Sequence, residues 1–286
     1  MPAGRKEEGD GHEEEGALMF FEKTFWFIKR GYLLQMSYRF DFFLKMFFML
    51  FNILTYYFIA RMIGGAAAAY LEPYGGDYFS FVLISTAFSG YLMISLRSFS
   101  ESVRDEQMMG TLEVMLVAPT ATTSIIALSS LWSFIFASFR VLLYLLIGIL
   151  LGVNMTAANV GGALIILILT IICFSSIGIL SASFIMVFKR GNPINMLLMG
   201  TSELFGGVLF PIEVFPEWLQ SISRILPITY SVNGMRHALL QGYSLEELAP
   251  DILTLAFFSI ALLPFSLLIF KQAVRKVKAD GGLVQY

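Results

Sequence analysis

Long apolar stretches alternate with short polar segments along most of this chain. A helix of roughly 20 apolar residues is enough to cross a bilayer, so the alternation predicts an all-α membrane protein with six transmembrane helices. The second predicted span is the weakest, because serines interrupt it. The six spans cover residues 41–63, 78–99, 122–153, 159–188, 194–211 and 250–270.

Two segments of different character precede the first span. Residues 1–16 are acidic and rich in glycine, and they contain too little apolar surface to form a core, so we expect a disordered tail. Residues 17–39 mix phenylalanines with lysines and arginines and are too charged to cross a membrane. We expect an amphipathic helix on the cytoplasmic face there, with a simple extension of the first span as the alternative. Residues 40–286 are expected to form a single transmembrane domain.

Composition agrees with the membrane class. Of the 286 residues, 57% are hydrophobic and 14% are charged, whereas soluble domains carry about 25% charged residues. The single cysteine, Cys173, excludes an intrachain disulfide and a cysteine-based metal site. The two histidines, His12 and His237, form no motif. We therefore predict no catalytic residue, no bound metal, no cofactor on this chain and no nucleic-acid partner.

Lysine and arginine positions predict the orientation. Cytoplasmic loops of membrane proteins carry an excess of these residues. With six spans, both termini lie on the same side of the membrane. Most of the basic residues lie on that side too, so it is predicted to be cytoplasmic. The basic residues on the predicted outer side are Arg61, Arg224 and Arg236.

One polar segment, residues 101–119, interrupts the apolar chain between the second and third spans and is predicted to be cytoplasmic. Thr111 suits the N-cap of a short helix, and Pro119 would end it. Leu112, Met115 and Leu116 would share one face of that helix, which a solvated linker does not need. Two glutamates are available to pair with a basic partner surface: Glu106 and Glu113.

A second irregular region, residues 211–243, lies on the predicted outer side before the last span. It is moderately apolar, and prolines divide it into pieces too short to cross a membrane. We expect a helix from Glu217 or Trp218 to Ile225 and another near 229–240. Such a broken hairpin would be re-entrant, dipping into the outer leaflet where protein or a hydrated cavity surrounds it.

The order of these features resembles the membrane (permease) subunit of type-2 ABC exporters. The resemblance rests on the sequence Gly-Thr-Leu-Glu at 110–113 and on the outer hairpin, and it covers the chain from about residue 17 onward. It implies that the polar segment is the coupling helix that contacts an ATPase subunit. The implied coupling residues are Arg104, Glu106, Gly110, Thr111, Leu112, Glu113, Met115, Leu116 and Pro119. The implied hairpin residues are Pro211, Pro216, Trp218, Pro227, Tyr230 and Arg236.

The same resemblance implies a partner. The sequence contains no GxxxxGK[ST] phosphate-binding loop, so ATP and Mg²⁺ would bind to a separate cytoplasmic ABC ATPase present in two copies. Two permease chains, taken as a homodimer, would form the substrate path in the plasma membrane. Drugs, lipids or other amphiphiles are the expected cargo. A permease for polysaccharides or glycolipids is the alternative, and a secondary transporter is less favoured because intramembrane carboxylates are sparse.

Two charged residues fall inside predicted spans. Arg140 lies near the middle of the third and Glu203 near the middle of the fifth. Charges at such depth rarely face lipid. We prefer an ion pair between Arg140 and Glu203, with a place on the substrate path as the alternative for either residue.

Aromatic residues are also spaced regularly in the first span. Phe40, Phe43, Phe47 and Phe51 recur at helical intervals. Such a stripe usually faces lipid or packs against other helices, and packing is favoured over a slide for sugars or an apolar wall for lipids.

Overall fold

The computed structural model describes residues 7–110, 122–188 and 193–279. All regular structure within these ranges is helical, as the apolar pattern predicts. One-turn helical pieces occupy the loops. The helices of nine residues or more are α1 (Glu7–Ser37), α2 (Arg39–Ile63), α3 (Tyr78–Met108), α4 (Thr122–Leu150), α5 (Val160–Phe188), α6 (Pro193–Phe205), α7 (Glu217–Ile225), α8 (Pro227–Arg236) and α9 (Ala249–Ala279).

Five helices in the described ranges are long and apolar enough to cross a membrane: α2, α3, α4, α5 and α9. The predicted span 194–211 instead contains α6, whose 13 residues extend only about 20 Å. This helix stops because Gly207 has a left-handed backbone conformation (φ 71°) and Pro211 follows shortly after. The count of six spans therefore stays a prediction.

The N-terminal helix is longer than the sequence suggests. It begins at Glu7, so residues 7–16, for which we expected disorder, are helical in the structure. Glutamate, which is frequent in this segment, is a good helix former. Further along, α1 packs against α4, where Tyr32 meets Trp132 edge-to-face with ring centroids 5.8 Å apart.

The centre of the bundle is the pair α3 and α5. In the most apolar 18-residue window of α3, 72% of the residues are buried, against 11% in α2, so α3 is a central helix and α2 a peripheral one. Small residues allow the close contact: a Cβ on Gly178 of α5 would lie 2.6 Å from the Ser95 carbonyl oxygen of α3. Asn195 of α6 adds hydrogen bonds from its side-chain amide to the Leu96 carbonyl (3.0 Å) and the Ser100 hydroxyl (2.9 Å).

The outer hairpin contains the two short helices expected from its prolines. They are α7, with the expected end at Ile225, and α8, which continues through a π-helical turn, His237–Gln241. Hydrogen bonds fix that turn at one end of the bundle: the Asn159 amide donates to the Ala238 carbonyl (2.8 Å), and the Gln241 side chain donates to the Pro73 carbonyl (2.7 Å). The re-entry of the hairpin into a membrane stays a prediction.

Candidate functional site

The polar segment starts at the C-terminal end of α3. Gly110 ends the helix there, since its left-handed conformation (φ 70°) turns the chain while its amide still donates to the Gln107 carbonyl (3.1 Å). Arg104, Met108 and Met109 are exposed at this end. The remaining predicted coupling residues lie outside the described part of the chain: Thr111, Leu112, Glu113, Met115, Leu116 and Pro119.

Glu106 is directed into the protein. It is buried, and its carboxylate lies 3.4 Å from the Arg30 guanidinium of α1. This differs from our expectation that Glu106 faces a basic cleft on a partner, because one turn of α3 places that side chain beneath α1 instead of at the surface. Arg104, two residues earlier, takes the exposed position.

Helix α1 contacts both helices that flank the polar segment. Arg30 reaches α3 through Glu106, and Gly31 lies directly against Trp132 of α4. A Cβ on Gly31 would come within 2.4 Å of the Trp132 ring, so a larger side chain would separate the two helices. The amphipathic helix and both ends of the polar segment thus belong to one contact network.

The most elaborate polar site lies at the opposite end, around Arg236 of α8. Its side chain is fully buried. Nε donates to the Ser85 hydroxyl of α3 (2.7 Å), and Nη1 donates to the Asn233 side-chain oxygen (3.1 Å). Nη2 donates to the carbonyls of Gly207 and Val208, the latter at 3.2 Å. Because α6 has already ended, no helical amide donates a hydrogen bond to these carbonyls, and Arg236 supplies the donor instead.

Aromatic rings complete this site, which we call the Arg236 cluster (Tyr74, Phe81, Ser85, Glu213 and Arg236). The guanidinium lies 3.5 Å from the Phe81 ring centroid and 5.4 Å from that of Tyr74. The Tyr74 hydroxyl donates to Glu213 (3.3 Å).

Protonation in the Arg236 cluster is set mainly by burial. Burial raises the pKa of Tyr74, and the negative charge of Glu213 raises it further, so the phenol stays neutral and keeps its proton for that carboxylate. Burial lowers the pKa of Arg236 to about 9, which leaves the guanidinium charged at pH 7. A chain of stacked rings extends the cluster outward, from Tyr74 to His237 (5.5 Å) and on to Tyr243 (4.7 Å).

The other predicted hairpin residues have separate positions. Pro216 precedes the first residue of α7, and Pro227 is the first residue of α8. The Tyr230 hydroxyl donates to the Arg224 carbonyl (2.7 Å) and so joins the two helices. Pro211 precedes the turn at Ile212–Val214. Trp218 is exposed and does not join the cluster.

Sequence reasoning missed most partners of Arg236. Tyr74 and Glu213 lie in loops, far from residue 236 in sequence, and nothing in their surroundings marks them. Ser85 had a weak signal, because it is one of the serines that interrupt the second span. His237 was set aside for want of a motif, yet its Nδ1 lies 3.8 Å from the Asp251 carboxylate, an ion pair if the imidazole is protonated.

Arg140 lines a cavity enclosed by α2, α3 and α4. Its Nη2 atom lies 3.9 Å from where a Cβ on Gly90 would be, and Tyr144, one turn along α4, lines the same cavity. The side chain of Glu203 lies outside the part that the structure describes, so the pairing with Arg140 stays a prediction. Among the described residues, no three His, Cys, Asp or Glu side chains form a group that could hold a metal ion.

Comparison with known proteins identifies the family. The profile described as "ABC-2 type transporter" matches residues 22–240, more than half of the chain. The chain belongs to the ABC-2 type transporter family. One relative, named "Putative transport permease ycf38", comes from Cyanophora paradoxa and is 28% identical over 185 residues. That match covers 63% of this chain and 60% of the relative, so the chain spans about three fifths of its length. Family membership and the apolar helices together identify a multi-pass membrane protein of the permease class.

Proposed function

We propose that this chain is the membrane subunit of an ATP-driven exporter. Two copies would form the path through the plasma membrane, with both termini cytoplasmic. ATP and Mg²⁺ would bind to two copies of a separate ABC ATPase that contacts the polar segment. Drugs, lipids or other amphiphiles are the proposed cargo.

One observation carries the coupling part of this proposal. The polar segment connects the C-terminal end of α3 to the N-terminal end of α4, and α1 contacts both helices. A force applied to the segment therefore acts on α3, the central helix, which packs along both α4 and α5. Exposed Arg104, Met108 and Met109 at the end of α3 offer a surface with both charge and apolar area to a partner.

Reconstitution tests the proposal directly. The purified chain alone should show no ATPase activity. Added to its cognate ABC ATPase, in proteoliposomes, it should give ATP hydrolysis that an amphiphilic substrate stimulates. Substrate export without any ATPase, driven by an ion gradient, would instead indicate a secondary transporter.

Variants of the polar segment separate coupling from folding. Leu112→Ala and Glu113→Ala should uncouple hydrolysis from export while the unfolding temperature stays unchanged. Leu245→Ala, an exposed change at the other end of the molecule, is the control. Normal export by both segment variants would make the segment a simple linker.

A further inference from the structure

A cavity of about 640 Å³ with both polar and apolar walls lies between α2, α3 and α4. Its wall includes Lys45 and Asn52 of α2, Thr86 and Arg97 of α3, and Arg140 of α4. Lys45 lies six residues into α2, close to the predicted inner surface, whereas Arg140 is far along α4. The cavity therefore extends from the predicted cytoplasmic boundary toward the middle of the bundle.

The charge of the lining is predominantly positive. Its cations are Lys45, Arg97 and Arg140, and the carboxylate among the lining residues is Glu101. Lys45 is partly neutralised by Asp41, whose carboxylate lies 2.5 Å away, but both side chains are about half exposed. No carboxylate in the described part of the chain pairs with Arg140. An arginine at such depth normally has a counter-charge or a hydrated cavity, so this one has capacity for an anion.

Unused hydrogen-bonding groups lie on the same wall. The side-chain oxygens of Asn52, Thr86 and Ser98 are buried and have no hydrogen-bond partner within the described part of the chain. Buried polar atoms are nearly always paired in folded proteins, and several unpaired atoms around one cavity are unusual. The Thr86 hydroxyl can donate to an anionic oxygen. It lies about one helical turn from Gly90, whose Cβ position is 3.9 Å from the Arg140 guanidinium, so it complements that group.

The rest of the wall is apolar and lies beside an exposed helix. Phe48 and Met49 of α2 contribute to it together with Met93 and Ile94 of α3. Phe48 is 62% exposed on the surface of α2, so the cavity borders the region where lipid chains would lie. A ligand that uses the whole wall must combine an anionic group with hydrocarbon.

We propose that this cavity binds the phosphate-bearing headgroup of an anionic amphiphile, with Arg140 and the Thr86 hydroxyl on the phosphate and the hydrocarbon along Phe48 and Met93. Arginine suits this role, because its planar guanidinium donates two parallel hydrogen bonds to a phosphate. The site lies within one chain and requires no ATPase, so it goes beyond the proposed function.

Lipid binding to the purified chain tests the site. The chain in nanodiscs of phosphatidylcholine is titrated with fluorescent phosphatidic acid, and phosphatidylcholine with the same chains and fluorophore serves as the reference. Phosphatidic acid should bind at least tenfold more tightly than the reference lipid. Arg140→Gln should reduce that affinity about tenfold, whereas Arg224→Gln, an exposed arginine on α7, should not change it.

A variant that is expected to increase lipid affinity distinguishes a specific effect from misfolding. Glu101→Gln removes the carboxylate of the lining, so it should strengthen phosphatidic acid binding severalfold, which a damaged protein would not do. Competition with inorganic phosphate shows which part of the lipid the site needs. If millimolar phosphate displaces the lipid, the headgroup alone suffices for binding. If it does not, the hydrocarbon is also required. Equal binding of the two lipids, or unchanged affinity in both Arg140→Gln and Glu101→Gln, would overturn the proposal.

Discussion

Arg236 illustrates how much one residue contributes to this fold. Its guanidinium satisfies two carbonyls of the turn after α6, a hydroxyl on α3 and an amide oxygen on its own helix. It also covers the Phe81 ring. A lysine has the same charge but lacks the planar arrangement of donors, so it could not make all of these contacts.

Replacing Arg236 should destabilise the protein strongly. Arg236→Ala leaves the Gly207 and Val208 carbonyls unpaired and opens a cavity under Phe81, which we expect to cost about 3–5 kcal/mol. Arg236→Lys should recover only a minor part of that loss. Thermal unfolding of the detergent-purified variants measures both effects.

Arg224→Ala is the matched control. Arg224 is exposed on α7, and its side chain bonds only weakly to Gln220 at 3.4 Å. The unfolding temperature of the Arg224→Ala variant should stay close to that of the wild type. An equal loss in the two variants would show that any charge removed from the hairpin has this effect, and that the contacts of Arg236 are not special.

At the residue scale, sequence reasoning succeeded where the chemistry was local. The prolines at 216 and 227 mark the beginnings of α7 and α8, because a fixed φ and a missing amide suit the first turn of a helix. The same reasoning could not find the partners of Arg236. The Gly207 carbonyl is 29 positions away and Ser85 is 151, and only the packed bundle brings them together.

At the scale of the helices, the contact between α3 and α5 depends on small residues. Gly178 faces the backbone of α3 so closely that no side chain fits without displacement. The buried Ser95 of α3 is part of this contact, since small side chains let helix backbones approach in a membrane. What looks like a weak span in the sequence is therefore the best-packed helix of the molecule.

Gly178→Val should separate α3 from α5. Its branched side chain would overlap the Ser95 carbonyl, and we expect a loss of about 1–3 kcal/mol, measured as a lower unfolding temperature. Gly200→Val is the control, because Gly200 on α6 is exposed with nothing within 4 Å of its Cβ position. Comparable losses in both variants would refute the packing argument.

The link between α1 and α3 can be tested by exchanging its charges. Arg30→Glu and Glu106→Arg should each destabilise the chain, Glu106→Arg more so because its site is buried. The double variant should regain part of the loss, about 1 kcal/mol or less, since the Arg30 side chain is half exposed. Restoration is expected to be partial because Glu106 makes further interactions. Strictly additive losses in thermal unfolding would argue against the pair.

Helix α2 corrects one interpretation drawn from its sequence. Packing was favoured for Phe40, Phe43, Phe47 and Phe51, with lipid contact as the alternative, and their exposure of 52–75% favours the alternative. Regular spacing shows that residues share a helix face, whereas the identity of the neighbouring surface depends on the whole assembly. The apolar pattern placed the ends of α2, α3, α4 and α5 well where they adjoin the α2–α3 and α4–α5 loops, because glycines in both loops interrupt the apolar pattern there.

For the whole molecule, the alternating helices define two ends. Met108 is exposed at the end that carries the polar segment, and Glu246 is exposed at the end that carries the hairpin. The excess of basic residues predicts that the first end is cytoplasmic.

Cysteine labelling tests this orientation. Cys173 is fully buried, so the natural chain should react little with a membrane-impermeant maleimide. In intact cells, Glu246→Cys should be labelled and Met108→Cys should not. Inside-out vesicles should reverse the pattern. The same site labelled in both preparations, or the opposite order, would contradict the predicted topology.

The Arg236–Ser85 hydrogen bond has a mechanical consequence. It fixes α3 near its outer end, while Glu106 and the polar segment lie at the other end, roughly 30 Å away along the helix. α3 can then pivot about Ser85. A shift of about 3 Å at Glu106 would tilt the helix by roughly 5° and leave its outer end almost still. Motion imposed from one side of the membrane would thus widen the bundle mainly on that side, unless the Arg236–Ser85 hydrogen bond breaks.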